Sequence, residues 1–437
     1  MEENRNKTLI LSDEVVYSCH SSGDCCRHDW IIGIDDESIQ RVLKLDWNDI
    51  NPDFTKKSCY KPLLNPLPTG EKFTFKRTDC GACVFLDGQN HCQMHHHFGF
   101  DVKPQVCKEF PYYFMETQDG MVVGLSFACG SVRAFKGSPL ADKEVEIRKV
   151  LSGSYRIHKF PENLELYPGI AMSWEEYKSL EDSLLVIVKD KNQSFSRALL
   201  SGHILAGMVA LSLKQVEIQA QTAGEAPRET LLGGMQKLQL DHFHSIQKIA
   251  ENIKAPSRIS HQYLAPYYTW LMFSRDEWSR LGLVWNLYRN FYKFNKGKGI
   301  LEGMAKEDSD IDLEKVLKVR YSDETPEVDD FLRKYWAHVI FRKSLLPSMG
   351  IFRGYQTLIS LYGLMKWLAK VQAFRQNRND VSLDDIKESV KILEQKYILH
   401  SQFSKLFTLH PILTQMLDRM YIRQSFAPSI LLDNQSN

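Results

Sequence analysis

The chain has 437 residues, of which 43% are hydrophobic, and its 55 basic residues nearly balance its 54 acidic ones. A formal net charge of +1 excludes a general electrostatic attraction to nucleic acid or to anionic membranes. The length is enough for two or three domains of about 150 residues each, with ordinary hydrophobic cores. We therefore expect a globular protein that has no nucleic-acid partner.

The N-terminal segment MEENRNKTLILSDEVVYSC lacks the basic start and the long apolar core of a secretion signal. The uncharged stretch at residues 198–213 is shorter than the roughly 20 apolar residues that span a membrane, so it predicts a buried helix. We expect a cytoplasmic protein without a membrane partner, in which thiols stay reduced. An odd number of cysteines, nine, also fits a fully paired disulfide framework poorly.

The cysteines all lie between Cys19 and Cys129. This segregation predicts a metal-binding module at residues 1–140 and a body of different character at 141–437. Turn signals in the module are SSGD, NPDF, LNPLPTG, LDGQN and ETQDG, and short β-like runs between them are WIIGI, KFTFKR and MVVGLSF. The module should be small, irregular and α+β, with metal coordination replacing part of its core.

The remainder of the chain has the patterns of a large helical body, so the predicted fold class is mainly α. SWEEYKSLEDSLLVIVKD has Glu176 three positions after Ser173, and VSLDDIKESVKILEQKYI has Asp385 three positions after Ser382, which is the pattern of a capping box. Residues 262–294 and 329–371 are aromatic-rich, with apolar residues at helical spacing. Residues 219–230 predict an exposed connection that could subdivide the body.

Four cysteines, Cys80, Cys83, Cys92 and Cys107, stand close together on two predicted loops. A metal-bound thiol is a deprotonated, soft ligand. Four thiolates can form a tetrahedral zinc site, and the same sulfurs can hold an iron–sulfur cluster. The spacing predicts metal binding and leaves the metal open.

A second group comprises Cys19, Cys25 and Cys26. Adjacent side chains on an extended chain point to opposite faces, so the Cys25–Cys26 pair is easier to place on a bulky cluster, or on two neighbouring centres, than on one mononuclear site. This favours iron–sulfur over zinc. The spacing Cys-x-x-x-Cys-x-x-Cys of radical enzymes that use S-adenosylmethionine is absent from the chain.

The segments CHSSGDCC, CVFLDGQNHC, KPQVCKEFPYYF and FACG together resemble a cysteine-cluster family of zinc- or iron-chelating proteins. The resemblance covers roughly residues 15–135. In that family's first motif a further cysteine is usual, and Ser22 stands near its place here, a loss for which Cys80 could compensate. The predicted metal ligands are Cys19, Cys25, Cys26, Cys80, Cys83, Cys92, Cys107 and Cys129.

The segments FLRKYWAHVIFRKSLLPS and YQTLISLYGLMKWLAK are similar to the helical C-terminal part of flagellin lysine-N-methylases, which carry such a cysteine cluster. This resemblance implies a 4Fe-4S iron–sulfur cluster, S-adenosylmethionine as methyl donor and a protein substrate such as flagellin. No glycine-rich methyltransferase loop is visible, and GKG at residues 297–299 is too short to count.

The alternative from another functional class is a non-catalytic zinc- or iron-binding protein whose helical body binds a partner. At most one of His95, His96 and His97 is expected to be a ligand, and Cys59, which has no spaced partner, is interpreted as structural. The carboxylates that flank the cysteines are either supporting groups or solvated loop residues; they are Asp24, Asp29 and Glu109.

Overall fold

The computed structural model divides the protein into two compact units, Met1–Phe160 and Pro161–Asn437. The residues it describes are 7–28, 30–50, 59–154, 156–167, 169–223, 243–256, 261–276, 280–302, 310–345, 349–399, 403 and 411–432. Helices predominate and the strands are few and short, so the mainly-α prediction is confirmed.

The N-terminal unit contains the described elements β1 (Leu9–Leu11), β2 (Val16–Tyr17), α1 (Asp24–Arg27), β3 (Gly33–Ile34), α2 (Asp36–Leu43), β4 (Tyr60–Pro62), β5 (Phe73–Phe75), α3 (Gln93–Phe98), α4 (Gln105–Glu109), β6 (Tyr112–Thr117), β7 (Gly120–Leu125), α5 (Gly130–Arg133), β8 (Ser138–Pro139), α6 (Glu144–Ser152) and β9 (Ile157–Lys159). The short runs WIIGI, KFTFKR and MVVGLSF contribute β3, β5 and β7. The predicted turn NPDF lies outside the described residues.

A four-stranded sheet in the order β1-β7-β6-β9 forms one half of this unit. Strands β6 and β7 are an antiparallel hairpin, whereas β1 and β9 add to it in parallel at the two edges. Strand β9 pairs Ile157 with Phe114, and Ile147, Val150 and Leu151 of α6 are fully buried. Residues 141–160 therefore belong to the N-terminal unit, whose boundary follows Phe160 rather than residue 140.

The other half of the N-terminal unit has a core in which sulfur and aromatic side chains pack together. A small sheet in the order β3-β5-β4 borders this core. Its buried members are Cys26, Ile32, Ile34, Ile39, Val42, Trp47, Cys59, Phe75, Cys83, Phe85 and Met94. The partly buried Cys25, Cys92 and Cys107 pack against them. Half of this unit is thus organised around its thiols.

The C-terminal unit is built from helices with two short hairpins. Its described elements are β10 (Leu164–Tyr167), β11 (Ile170–Met172), α7 (Trp174–Lys189), α8 (Phe195–Ala223), α9 (Phe243–Asn252), α10 (Ala265–Asp276), α11 (Arg280–Lys296), β12 (Ile300–Leu301), β13 (Ile311–Asp312), α12 (Leu313–Lys318), α13 (Pro326–Phe341), α14 (Ile351–Arg375), α15 (Leu383–Leu393), α16 (Pro411–Tyr421) and α17 (Phe426–Leu431).

The helix starts predicted from sequence are confirmed at both capping boxes. The Ser173 hydroxyl accepts the backbone N–H of Glu176, whose carboxylate accepts the N–H of Ser173. Ser382 and Asp385 make the same reciprocal pair at the start of α15. Each box satisfies two backbone donors that a helix N-terminus leaves without a partner.

Helix α14 forms the centre of the C-terminal unit and is buried along most of its length, which explains why its sequence is apolar on nearly every face. Helices α8, α15 and α17 pack around it. The segment predicted as helical at 262–294 overlaps α10 and α11, and the one at 329–371 overlaps α13 and α14. Residues 277–279 and 346–348 within those segments lie outside the described residues.

Helix α8 contains the uncharged stretch of residues 198–213. By length and composition alone, Phe195–Gln215 could cross a membrane, but 56% of its most apolar window is buried inside the protein. A core helix passes the same test. The helix continues to Ala223, so the first part of the predicted connection at 219–230 is helical. Residues 224–230 lie outside the described residues.

Candidate metal centre

Cys25 and Cys26 lie on α1, a single helical turn. Gly23 precedes this turn in the left-handed conformation, with φ of 72°, which a residue without a Cβ adopts at little cost. A Cβ at Gly23 would lie 2.3 Å from Arg27 Nη1, so the glycine also leaves room for the arginine, which donates to Asn90. Helical backbone brings the two adjacent sulfurs closer than an extended chain would, and their Sγ atoms are 3.8 Å apart.

Cys83 and Cys92 reach the same place from a different part of the chain. The Cys83 N–H donates to the Cys26 carbonyl at 2.8 Å, which joins the Cys83 loop to α1. Cys92 precedes α3 and forms a β-bridge with Leu86 across the LDGQN turn. That turn is closed by the Asp87 carboxylate, which accepts the backbone N–H of His91 at 2.8 Å.

The sulfur of Cys26 is the centre of the group. Its Sγ lies 3.8 Å from that of Cys25, and the thiols of Cys83 and Cys92 are near enough to raise its pKa. The side chain of Cys26 is buried, and those of Cys25 and Cys92 are half-buried. We call Cys25, Cys26, Cys83 and Cys92 the thiol cluster.

Cys107 lies beside the thiol cluster, on α4. Negative charge on Cys83, Cys92 or Cys25 would raise the pKa of the Cys107 thiol. The positive charge of Lys103 acts to lower the pKa values of Cys25, Cys92 and Cys107. Lys103 therefore supplies positive charge where several thiolates would otherwise repel one another.

Cys19 and Cys129 extend the group on the side of Cys25. Negative charge on Cys25 or Cys19 would raise the pKa of the Cys129 thiol. Hydrogen bonds from backbone N–H groups of α5 act to lower it. The Arg133–Asp24 ion pair, 2.7 Å between Nη2 and Oδ2, joins α5 to α1. The same guanidinium donates to the carbonyls of Phe127 and Ala128, at 2.8 and 2.7 Å, and so fixes the turn before Cys129.

Cys80 is placed differently from the other predicted ligands. It is exposed on a tight turn closed by the Gly81 N–H donating to the Thr78 carbonyl at 2.8 Å, and its sulfur contacts the Thr78 hydroxyl at 3.1 Å. Cys59 is buried in the apolar core of the unit, and burial raises the pKa of its thiol to about 11. This position matches its interpretation as a structural residue.

The thiols of the cluster differ in the direction in which their pKa values are shifted. Hydrogen bonding from Cys26 lowers the pKa of Cys92 to about 6 and also lowers that of Cys25, while the contacts with these two thiols and with Cys83 raise the pKa of Cys26 itself. Burial raises the pKa of Cys129 to about 12 and that of Cys107 above its ordinary range. These shifts favour deprotonation of Cys92 and Cys25, and the thiolate is the form that binds metals.

The residues flanking the cluster have mixed roles. His96 and His97 are exposed, whereas His95 is half-buried, and burial with Lys103 nearby lowers the pKa of His95. Glu109 is buried and accepts from Gln105 Nε2 at 3.2 Å. Asp29 lies outside the described residues. The supporting residues that sequence reasoning missed are Lys103 and Arg133; a lone basic residue has no spacing signal that could have identified them.

The donor set fits a thiophilic metal, although its present geometry is that of contacting thiols. Within the described ranges, no group of three or more His, Cys, Asp or Glu side chains is arranged as it stands to hold a metal ion. The sulfurs of the thiol cluster lie on two short loops and one helical turn, so directing them at a common ion would require changes of side-chain rotamer. Soft thiolates select zinc and iron–sulfur clusters over harder cations.

Comparisons with protein-family models, with curated proteins and with solved structures found no match for this chain.

Proposed function

We propose that the N-terminal unit is a metal-binding module and that its thiols hold an iron–sulfur cluster. The observation that supports this most strongly is that the buried Cys26 sulfur lies 3.8 Å from that of Cys25 and has the thiols of Cys83 and Cys92 close enough to raise its pKa. Four neighbouring thiols inside a small core provide a soft donor set, which hydrophobic side chains of the same volume would not provide.

The number of sulfurs favours an iron–sulfur cluster. Beyond the thiol cluster, Cys107 and then Cys129 and Cys19 lie within electrostatic reach. One zinc ion takes four ligands, and the thiol cluster together with Cys107, Cys129 and Cys19 exceeds that number. A bound cluster would supply redox or binding chemistry, while Lys103 would offset part of the negative charge of its ligands.

Zinc is the second candidate, and one distance favours it. Sulfurs at about 2.3 Å from a tetrahedral zinc ion stand about 3.8 Å from one another. The Sγ atoms of Cys25 and Cys26 have that separation, 3.8 Å. A structural zinc site on the thiol cluster would make the protein a non-catalytic metal-binding protein whose helical unit contacts a partner.

We further propose that the protein methylates lysine side chains of a protein substrate such as flagellin, with S-adenosylmethionine as donor. This finer proposal rests on the resemblance of two segments of α13 and α14 to flagellin lysine-N-methylases. In the reaction the lysine nitrogen would bond to the methyl carbon, the sulfonium would keep the electron pair of the broken S–C bond, and the ammonium proton would leave first. A lysine with an ordinary pKa of about 10.4 therefore needs a site that deprotonates it.

The two levels of the proposal are tested separately. Full-length protein purified without oxygen should be brown and contain iron with acid-labile sulfide; colourless protein with stoichiometric zinc would replace the cluster by the zinc alternative. The same preparation would then be incubated with methyl-labelled S-adenosylmethionine and flagellin. Methyl-lysine found by mass spectrometry would support the enzyme. No label on any protein, with the metal centre intact, would leave the non-catalytic alternative.

A further inference from the structure

A cavity of about 630 Å³ lies within the C-terminal unit, and neither the metal centre nor the proposed methylation accounts for it. Small-molecule sites usually enclose about 300–1,000 Å³, so this volume is suited to a ligand rather than to a few waters. The described residues lining it are Tyr167, Gly169, Ile170, His203, Gly207, Ala210, Leu211, Lys214, Phe352, Tyr421, Ile422, Arg423 and Gln424.

One face of α8 forms the longest wall of the cavity. The lining residues of this helix recur three or four positions apart, from His203 through Gly207 and Leu211 to Lys214, which is the spacing of a single helical face. The opposite walls are the β10–β11 hairpin, Phe352 of α14 and the segment that ends α16. The rings of Tyr167 and Phe352 meet edge to face, with centroids 6.0 Å apart, and give the cavity an aromatic side.

The charged side chains among the described lining residues, Lys214 and Arg423, are both basic. Lys214 and Arg423 are both exposed, and neither has an ion-pair partner within the described part of the chain. No acidic residue is among the described lining residues. The nearest acidic group on α16, Asp418, is already paired with Arg353, at 2.7 and 2.8 Å.

The polar groups deeper in the cavity are neutral. Burial lowers the pKa of His203 and favours its neutral ring. The hydrogen bond between its Nδ1 and Gln356 Oε1, at 2.9 Å, acts in the opposite direction and only partly offsets this shift. The Tyr421 hydroxyl is bonded to that of Tyr267 at 2.5 Å. An aromatic and aliphatic interior with two exposed cations, Lys214 and Arg423, is complementary to a molecule that is apolar at one end and anionic at the other.

We propose that this cavity binds an amphipathic organic anion, whose apolar body lies between α8 and the Tyr167–Phe352 pair and whose carboxylate or phosphate group meets Lys214 and Arg423. The exposed side chains of Leu211 and Ile422, which are 66% and 62% accessible and both line the cavity, would cover part of the apolar body. This site is independent of the metal centre and of the proposed methylation.

Gly207 allows the cavity to be blocked without disturbing its walls. A Cβ built there meets no atom within 4 Å, so a larger side chain at this position would extend into open space. Replacing a helical glycine by leucine also improves helix propensity by up to about 1 kcal/mol. Gly207→Leu should therefore fold at least as well as the unaltered protein while filling the cavity, and Gly207→Ala should leave most of it open.

Titration calorimetry of the full-length protein would use three probes below their critical micelle concentrations: decanoate, monodecyl phosphate and decyltrimethylammonium. We expect one decanoate or decyl phosphate per chain, with the preferred head group identifying the natural anion, and no binding of the cationic probe. Gly207→Leu should abolish binding and Gly207→Ala should retain it. The Lys214→Ala/Arg423→Ala double variant should weaken binding about tenfold.

Lys254→Ala is the matched control, because Lys254 is an exposed lysine of the same unit outside the cavity lining. It should bind the anionic probes as the unaltered protein does. Equal binding of the cationic probe, or undiminished binding by correctly folded Gly207→Leu, would overturn the proposal. So would binding to anionic phosphatidylglycerol vesicles without binding of either monomeric anion, since that result would identify a membrane-contacting surface.

Discussion

The two units of the molecule use different means to fill their interiors. The sulfur-bearing half of the N-terminal unit packs cysteines among aromatic rings on short, irregular elements. The C-terminal unit surrounds one long buried helix, α14, with other helices and contains no cysteine. The same chain thus combines a unit whose core includes several thiols with a unit whose core consists of packed helices and has no cysteine.

Removing the metal from the proposed centre should have the largest effect, because it should destabilise the N-terminal unit and leave the C-terminal unit folded. Metal binding and folding are coupled wherever the ligands organise a small core, and structural zinc in finger peptides contributes about 10–16 kcal/mol. Chelation should therefore expose backbone amides at residues 83–107 to hydrogen exchange while α14 stays protected. Unchanged protection at residues 83–107 after complete metal removal would show that the thiols do not organise their unit through a metal.

Breaking the buried ion pair of the C-terminal unit should cause the next largest loss of stability. Arg342 and Glu394 are both fully buried and joined at 2.5 and 3.1 Å, and Tyr335 also donates to Glu394, at 3.0 Å. Arg342→Met should lower the free energy of unfolding by about 3–5 kcal/mol, because it leaves a carboxylate buried without its cation. Urea denaturation would measure this loss.

The matched control for that change is the double variant Arg342→Met/Glu394→Leu, which removes both charges and should recover much of the lost stability. Metal content should be unaffected in either variant if the two units are energetically separate. A double variant as unstable as the single one would mean that packing, rather than an unpaired charge, sets the cost.

Two cysteines of the N-terminal unit distinguish ligands from core residues. Cys107→Ser should reduce the bound metal and the solubility of the protein, because it removes a sulfur next to the thiol cluster. Cys59→Ala should keep the metal and lose only about 1 kcal/mol of stability, since it removes a small buried side chain. Metal analysis by mass spectrometry would compare them, and equal losses from the two variants would contradict the assignment.

The helix caps should give the smallest effect. Ser173→Ala and Ser382→Ala each remove a hydroxyl that accepts a helix N–H and should each cost about 1 kcal/mol. Thermal unfolding of the C-terminal unit would show a small, similar shift for both, with no change in metal content. A negligible shift would indicate that water replaces the caps.

Features set by neighbouring residues were predictable from the sequence. Both capping boxes, the short strands β3, β5 and β7, and the helical character of the body depend on residues a few positions apart. The boundary at Phe160 was not predictable in this way, because the β9–β6 pair joins Ile157 to Phe114 across a long stretch of chain. Pairings at such separation leave no mark in local hydrophobic periodicity.

The candidate metal centre was likewise predictable only where it depends on residues that are close in sequence. Spacing indicated that the cysteines would gather, but the Cys80–Cys83 spacing suggested two ligands where the structure directs only Cys83 towards Cys26. The turn at Thr78–Gly81, with Gly81 at φ of 78°, carries Cys80 to the surface. Lys103 and Arg133 could not be anticipated, because their roles depend on contacts made only in the folded chain.

The most direct test of the central claim, that the clustered thiols are metal ligands, is the K-edge X-ray absorption spectrum of full-length protein purified without oxygen. The proposed centre predicts iron in a first shell of sulfur with a second shell of iron neighbours. Zinc in a first shell of sulfur alone would keep the thiol centre and exchange the metal. A first shell of oxygen and nitrogen, or no bound metal in stoichiometric amount, would contradict the account.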